Sequence, residues 1–249
     1  SIVNTNIVDV YGEQQSVDGA VSVVSAIKVY THRDEIDTDL WNELLQHSDH
    51  ASFFQSPACY DLYAQQYFME PFVVAVANGQ KLTALVCGYI TSEGKGIKSY
   101  MSRRAIVPGG LLIRNGANSN VITELLQTLN ALLKRRCIYT EIRNYADYSL
   151  WKQNCKVNGY RYQSHLNIQI DCTCRDIVWD GLSESKCRQI KQSIQAGLYI
   201  EKAQTTEEVK EFYGILSDLY SRKIHRPLFP EQFFQSLLSL PALLYGLCH

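Results

Sequence analysis

The stretch Phe72-Val73-Val74-Ala75-Val76-Ala77-Asn78-Gly79-Gln80-Lys81-Leu82-Thr83-Ala84-Leu85-Val86-Cys87-Gly88-Tyr89-Ile90 decides the fold. Two apolar runs of period 2, Phe72–Ala77 and Leu82–Ile90, flank Asn78-Gly79, and that glycine supplies the positive φ a tight hairpin turn needs. Downstream, Glu93-Gly94-Lys95-Gly96 predicts a second turn into a strand at 97–104, followed by the glycine loop Pro108-Gly109-Gly110. A helix is expected over 119–136, from the stripe Val121, Ile122, Leu125, Leu126, Leu129, Leu132 and Leu133; its basic end, Lys134-Arg135-Arg136, suits the dipole. A buried strand at 138–142, a short helix at 147–157 ended by Asn158-Gly159, and a strand at 166–170 complete this half. Upstream, Ile27–Tyr30 reads as a short strand and Ile36, Leu40, Leu44 and Leu45 as one helix face. Ser56-Pro57 starts a second helix, an N-cap hydroxyl followed by proline at the first helical position.

The resulting order is β-α-α-β-β-β-α-β-α-β. It predicts an α/β (α+β) chain, a mixed sheet covered by helices rather than a doubly wound parallel one. This order resembles the GNAT (acyl-CoA N-acyltransferase) arrangement. After residue 183 the pattern restarts: a helix at 184–196, a strand at Leu198-Tyr199-Ile200, then the capping box Thr205-x-x-Glu208. That box opens a helix with Val209, Phe212, Tyr213, Leu216, Leu219 and Tyr220 on one face, and Pro230 starts another. The expected organisation is a poorly specified lead with one possible strand (1–26), a complete GNAT-like domain (27–183), and a basic linking helix opening an incomplete second copy (184–249).

At 249 residues, 46% hydrophobic and 20% charged, the chain can bury a sizeable core and is not wholly disordered. Lys plus Arg number 24 and Asp plus Glu 25, so no global charge excess draws it to nucleic acid or an anionic membrane. Eight scattered cysteines without a C-x-x-C read as reduced, structural thiols in a cytoplasmic protein. The beginning has neither Met nor a basic residue before Lys28, which reads as a processed or trimmed end without a signal peptide, and no apolar run is long enough to span a bilayer.

Chemistry concentrates in two basic stretches. On the helix at 184–196, Cys187, Ile190 and Ile194 form a narrow apolar stripe, with Lys186 on one side and Arg188 and Lys191 on the other. These cations would hold the diphosphate of a nucleotide-linked precursor or a tRNA end; the alternative is a solvated polar face. Arg103-Arg104 before Pro108-Gly109-Gly110 would line an acceptor groove or be surface charge. The glycine-spaced loop that cradles acyl-CoA phosphates does not occur; Arg114-Asn115-Gly116-Ala117 is the nearest approach. His47 and His50 lack a third ligand, Ser56 and Ser102 lack triad partners, and Glu141 and Arg143 read as a same-face ion pair. No metal or cofactor is expected, and no catalytic residue is assigned.

The chain also resembles the FemAB-type aminoacyltransferases of the methicillin-resistance, peptidoglycan-bridge family, built from tandem GNAT-like domains. The resemblance rests on Phe53-Phe54-Gln55-Ser56-Pro57, Ser102-Arg103-Arg104-Ala105-Ile106-Val107-Pro108-Gly109-Gly110, Tyr139-Thr140-Glu141-Ile142-Arg143-Asn144, the helix Lys186–Gly197, and Arg226-Pro227-Leu228-Phe229-Pro230. It implies transfer of an amino acid or other acyl group to an amine of a peptidoglycan precursor or another nucleotide- or lipid-linked envelope acceptor. Aminoacyl-tRNA is the donor it implies. Two departures stand out: Cys187 where the family's helix has a further arginine, and a second domain that stops before its sheet, which makes an inactive chain one of the readings. The alternatives are a CoA-dependent N-acyltransferase and a non-catalytic acceptor-binding module.

Overall fold

The computed structural model describes residues 2–5, 27–94, 96–166, 168, 170–199 and 201–240. The chain divides into two compact units, residues 1–165 and 166–249.

The first unit is mixed α/β. Its sheet is eight-stranded, in the order β2-β3-β4-β5-β7-β1-β8, with β6 paired to β4 off that path. The strands are β1 (Ile2–Thr5), β2 (Ile27–Tyr30), β3 (Glu70–Asn78), β4 (Lys81–Thr91), β5 (Arg104–Pro108), β6 (Leu112–Ile113), β7 (Tyr139–Arg143) and β8 (Tyr160–Tyr162). The β3–β4 hairpin turns where Asn78-Gly79 predicts, with Gly79 at φ +63°. Every pairing is antiparallel except β5 with β7. That parallel step needs a crossover, supplied by α4 (Ser119–Leu133).

Helices cover both faces of the sheet because β3 and β4 are apolar on both. On one face, Val74, Val76, Val86, Ala105, Val107 and Ile142 pack with Ile122, Leu125, Leu126 and Leu129 of α4. The other face buries Val73, Ala75, Leu85 and Cys87 against Trp41 and Leu44 of α1 (Thr38–Gln46), with Tyr60 of α2 (Pro57–Ala64) packed alongside. Both helices start on side-chain caps. Asp37 accepts from Asp39 N (2.7 Å) and Leu40 N (3.2 Å), and Ser56 accepts from Cys59 N (3.2 Å).

Three expectations are corrected. Residues 97–101 form the short helix α3 (Ile97–Met101), not a strand, and β5 begins only at Arg104. Ser102 closes this excursion: its Oγ accepts from Glu93 N (2.7 Å) and donates to Glu93 O (2.9 Å). Leu166, Ile168 and Ile170 belong to no strand and are exposed at 92%, 78% and 65%. The strand lies earlier, at β8, after α5 (Lys152–Val157). Leu198 and Tyr199 are likewise in no strand, and Ile200 lies outside the described residues. The sequence pattern also missed β6.

The second unit is helical among its described residues: α6 (Arg175–Asp180), α7 (Glu184–Gln195), α8 (Thr206–Leu219) and α9 (Glu231–Ser236). The predicted capping box opens α8: Glu208 N donates to Thr205 Oγ1 (3.2 Å), and the Glu208 carboxylate accepts from Thr205 N (3.1 Å). Phe234 of α9 meets the rings of Phe212 (5.8 Å) and Tyr213 (5.7 Å) on α8. With no strand at 198–199, the repeated β-α-α opening is reduced to its helices.

At Gly88 the backbone of β5 leaves no room for a side chain on β4. A Cβ there would fall against the Ile106 backbone oxygen and the Phe72 ring, whereas one on Gly79 would meet open space. Gly88→Ala should therefore cost about 3 kcal/mol, and Gly79→Ala only about 1 kcal/mol, for a left-handed φ. Urea unfolding of the two variants checks the order.

Candidate functional site

In an open sheet, ligand crevices form beyond the carboxyl ends of parallel strands. Here that place lies beyond Pro108 of β5 and Arg143 of β7, which are register partners. Beyond β5 come Gly109 (φ +81°) and Gly110 (φ +82°), which turn the chain back toward β6; beyond β7 comes Asn144-Tyr145. Side chains crowd both glycines. A Cβ on Gly109 would meet Ser52 Oγ at 2.8 Å, and one on Gly110 would collide with Asn144 Oδ1 and the Tyr148 ring.

Two buried polar residues fill this crevice. Gln55 donates from Nε2 to Gly109 O (2.9 Å), and its Oε1 accepts from Ser52 N (2.8 Å). Trp41 Nε1 in turn donates to Gln55 O (2.7 Å), which ties the loop to the core. Tyr148 donates its hydroxyl to Leu111 O (2.6 Å) and stacks its ring near His50, 4.9 Å between centroids. Burial pushes the Tyr148 hydroxyl up, so it stays protonated and serves as a donor. Asn144 Oδ1 is buried beside Gly110 without a hydrogen-bond partner.

On the sheet face opposite α4, β7 presents Glu141 and Arg143, since Ile142 between them points into the α4 core. The predicted same-face ion pair forms, with Nε to Oε1 at 2.8 Å. The hydrogen bond to Glu141 raises the Arg143 pKa against partial burial. Tyr145 lies next to the Phe54 ring (5.3 Å between centroids), and burial raises its hydroxyl pKa, opposed by Arg143. The result is a fixed cation beside aromatic and hydroxyl groups at the edge of the filled crevice.

The predicted substrate-binding residues fall elsewhere. Arg103 and Arg104 stand at the opposite end of β5 from Pro108-Gly109-Gly110, roughly 13 Å away at the rise of a strand. Each has a carboxylate partner: Arg103 pairs with Glu70, which Arg136 also holds (2.7 Å), and Arg104 with Glu93 (2.7 Å). Arg103 and Glu70 do line a cleft of about 360 Å³, with Tyr67, Ser92 and Ser99. Lys186, Arg188 and Lys191 lie exposed on α7 of the second unit. Lys186 reaches Gln189 Oε1 (3.4 Å), and Lys191 Nζ sits 5.8 Å from the Trp179 ring centroid.

His47 is engaged through Nδ1 with Glu43 O (2.8 Å). Arg114 and Asn115, the nearest approach to a phosphate loop, are committed internally. Arg114 pairs with Glu43 (2.5 Å), and Asn115 Nδ2 donates to Asp49 (2.9 Å). The seven described cysteines are free thiols; burial pushes Cys59 up to about 12 and Cys155 up to about 11, which keeps both protonated.

Sequence reasoning missed Gln55, Tyr148, Asn144, Glu70 and Arg136. Gln55 carried one signal, its place before the Ser56-Pro57 helix start. Tyr148, Glu70 and Arg136 are defined by partners 33 to 66 residues away, and Asn144 by its approach to Gly110, which no local pattern reveals. No family model matches the chain, and no curated protein matches it.

Tyr148→Phe should cost about 1–2 kcal/mol by leaving Leu111 O buried and unpaired, read by urea unfolding. Glu70 gives a pH signature. Partial burial raises its pKa, but Arg136 and Arg103 outweigh that and hold the carboxyl below its ordinary value. Its folded pKa is depressed, so its contribution is present above the unfolded value and fades as pH falls through the folded one. Glu70→Gln should flatten the decline in stability between about pH 5 and pH 3, measured as the urea midpoint.

Proposed function

We propose that the first unit is a GNAT-type acyl-transfer domain and that the chain serves Fem-like aminoacyl transfer to an amine of a peptidoglycan precursor or related cell-envelope acceptor. The observation that carries this reading is the β5–α4–β7 step. It places one parallel pair inside an otherwise antiparallel sheet, after a β-α-α-β-β-β order like that of the GNAT resemblance but with the short helix α3 before its last strand and the two-residue β6 after it. Transfer to an amine needs two reactants held together and a developing oxyanion stabilised, tasks met by position and fixed charge. Arg143 is the cation best placed for an anionic acceptor at the carboxyl end of the parallel pair.

One feature favours aminoacyl-tRNA over acyl-CoA as donor. Asn118 caps α4 by accepting from Asn120 N (3.0 Å), so the amide at that helix start is already engaged. A phosphate-cradling helix start would need such amides free. The exposed cations of α7 suit the phosphates of a nucleotide-linked acceptor. No helix among the described residues is long and apolar enough to cross a membrane.

The test supplies the protein with a uridine-nucleotide-linked muramyl peptide and either charged tRNA or acetyl-CoA, and reads product mass. One added aminoacyl residue from tRNA is expected, with Arg143→Ala reducing the rate by about tenfold or more. Lys186→Ala, Arg188→Ala and Lys191→Ala combined should weaken precursor binding by about tenfold and reduce its salt dependence. Transfer from acetyl-CoA alone, or no transfer from either donor, would overturn the reading.

A further inference from the structure

The described cysteines divide by their surroundings. Cys59, Cys87 and Cys155 are buried, and burial raises the pKa of each thiol. Cys137 is partly buried and raised in the same way, and Cys187 is partly covered, its Sγ 3.9 Å from Trp179 O. Cys172 and Cys174 are the exposed ones among the described cysteines, on either side of Thr173. The chain bends at Thr173 and Cys174, just before α6. Asp171 holds that bend, its Oδ1 accepting from Thr173 N (2.9 Å) and Thr173 Oγ1 (2.7 Å). Cα atoms two residues apart stand at most about 7 Å apart, and closer at a bend, while a disulfide needs roughly 4.4–6.8 Å. Neither thiol is committed to the fold: Cys172 Sγ makes one long contact to Ile170 O (3.5 Å), and the Cys174 side chain makes no cap bond to α6.

We infer that Cys172 and Cys174 form a reversible thiol–disulfide site that exchanges with a low-molecular-weight disulfide of the glutathione type. One thiolate attacks a sulfur of the small disulfide; a mixed disulfide forms, the small S–S bond breaks, and one small thiolate leaves. The neighbouring thiolate then attacks the protein sulfur of that mixed disulfide, forming the Cys172–Cys174 bond and releasing the second small thiolate. The pair gives up two electrons and two protons, and the small disulfide takes them up as two thiols. Excess small thiol runs both steps backward. Access selects these cysteines for the first step, because exchange needs a thiolate that a disulfide can reach. Proximity selects the second, because a resolving thiol two residues along the chain acts at an effective concentration on the order of millimolar or above. The structural role expected of the thiols thus belongs to the covered cysteines. The inference stands apart from the transferase reading, because it involves neither the crevice beyond β5 nor the cations of α7.

The test incubates the full, reduced chain with glutathione disulfide, blocks the remaining thiols with iodoacetamide in denaturant, and maps the sulfurs by peptide mass. The peptide carrying Cys172 and Cys174 should lose two hydrogens and take no label, at least about tenfold sooner than any peptide carrying Cys59, Cys87 or Cys155 reacts. Reduced glutathione should restore both labels. Cys172→Ser and Cys174→Ser, at exposed positions and checked for folding by thermal melting, should each stop at the mixed disulfide and carry one glutathione on the cysteine that remains. A mixed disulfide that persists in the unaltered chain, pairing of either cysteine with a different cysteine or a second chain, earlier reaction of a buried cysteine, or no reaction at all would overturn the inference.

Discussion

Strands β3 and β4 are buried on both faces, and this double burial sets the conditions that the rest of the first unit meets. A strand pair exposing one face can be covered by a single layer; one buried on both needs helices on both sides. The α1–α2 pair arrives before the hairpin and α4 after it, so the two layers come from opposite sides of the hairpin in sequence. Trp41 and Leu44 serve one face; Leu125, Leu126 and Leu129 serve the other. Gly88 belongs to the same constraint, because it lets the β5 backbone approach β4 without a side chain between them. With β5 placed there, α4 can cross over and lay β7 parallel beside it.

A parallel pair creates a crevice at its carboxyl ends, and this chain fills that crevice with its own groups. Gln55 satisfies Gly109 O and Tyr148 satisfies Leu111 O, so two carbonyls that could have faced a ligand are spent on the fold. The same contacts bring together three parts of the chain far apart in sequence: the turn before α2, the glycine turn after β5 and the segment after β7. What remains exposed at that edge is Arg143, paired with Glu141.

What the sequence made legible was whatever depends on neighbours along the chain. Asn78-Gly79, Ser56-Pro57, Thr205-x-x-Glu208 and the leucine stripe of α4 each state a local geometry, and the structure adopts each. Alternation alone misled. Leu166, Ile168 and Ile170 have a strand's period but no partner strand among the described residues, and they stand exposed. A strand at 97–104 is expected from its position after a turn, but the apolar side chains Ile97 and Met101 are exposed and the backbone at Ile97–Met101 coils into a helix. The candidate site was less legible than the fold for the same reason. Arg103 and Arg104 are visible as a basic pair, but the carboxylates that engage them, Glu70 and Glu93, come from elsewhere in the chain.

Whether an arginine or lysine is free to act depends on its partners, and the two units differ here. In the first unit, Arg103, Arg104, Arg114, Arg136 and Arg143 each hold a carboxylate, so a ligand there must compete with an existing ion pair. On α7, no carboxylate lies within ion-pair distance of Lys186, Arg188 or Lys191 among the described residues. A cation already paired gains little from a new anion, because an old contact is broken as the new one forms; an unpaired one has only its hydration and side-chain freedom to give up. The helix that looked most basic in the sequence thus keeps its charge available. The arginine pair that looked equally promising spends its charge holding β3, β4 and β5 together at their shared end.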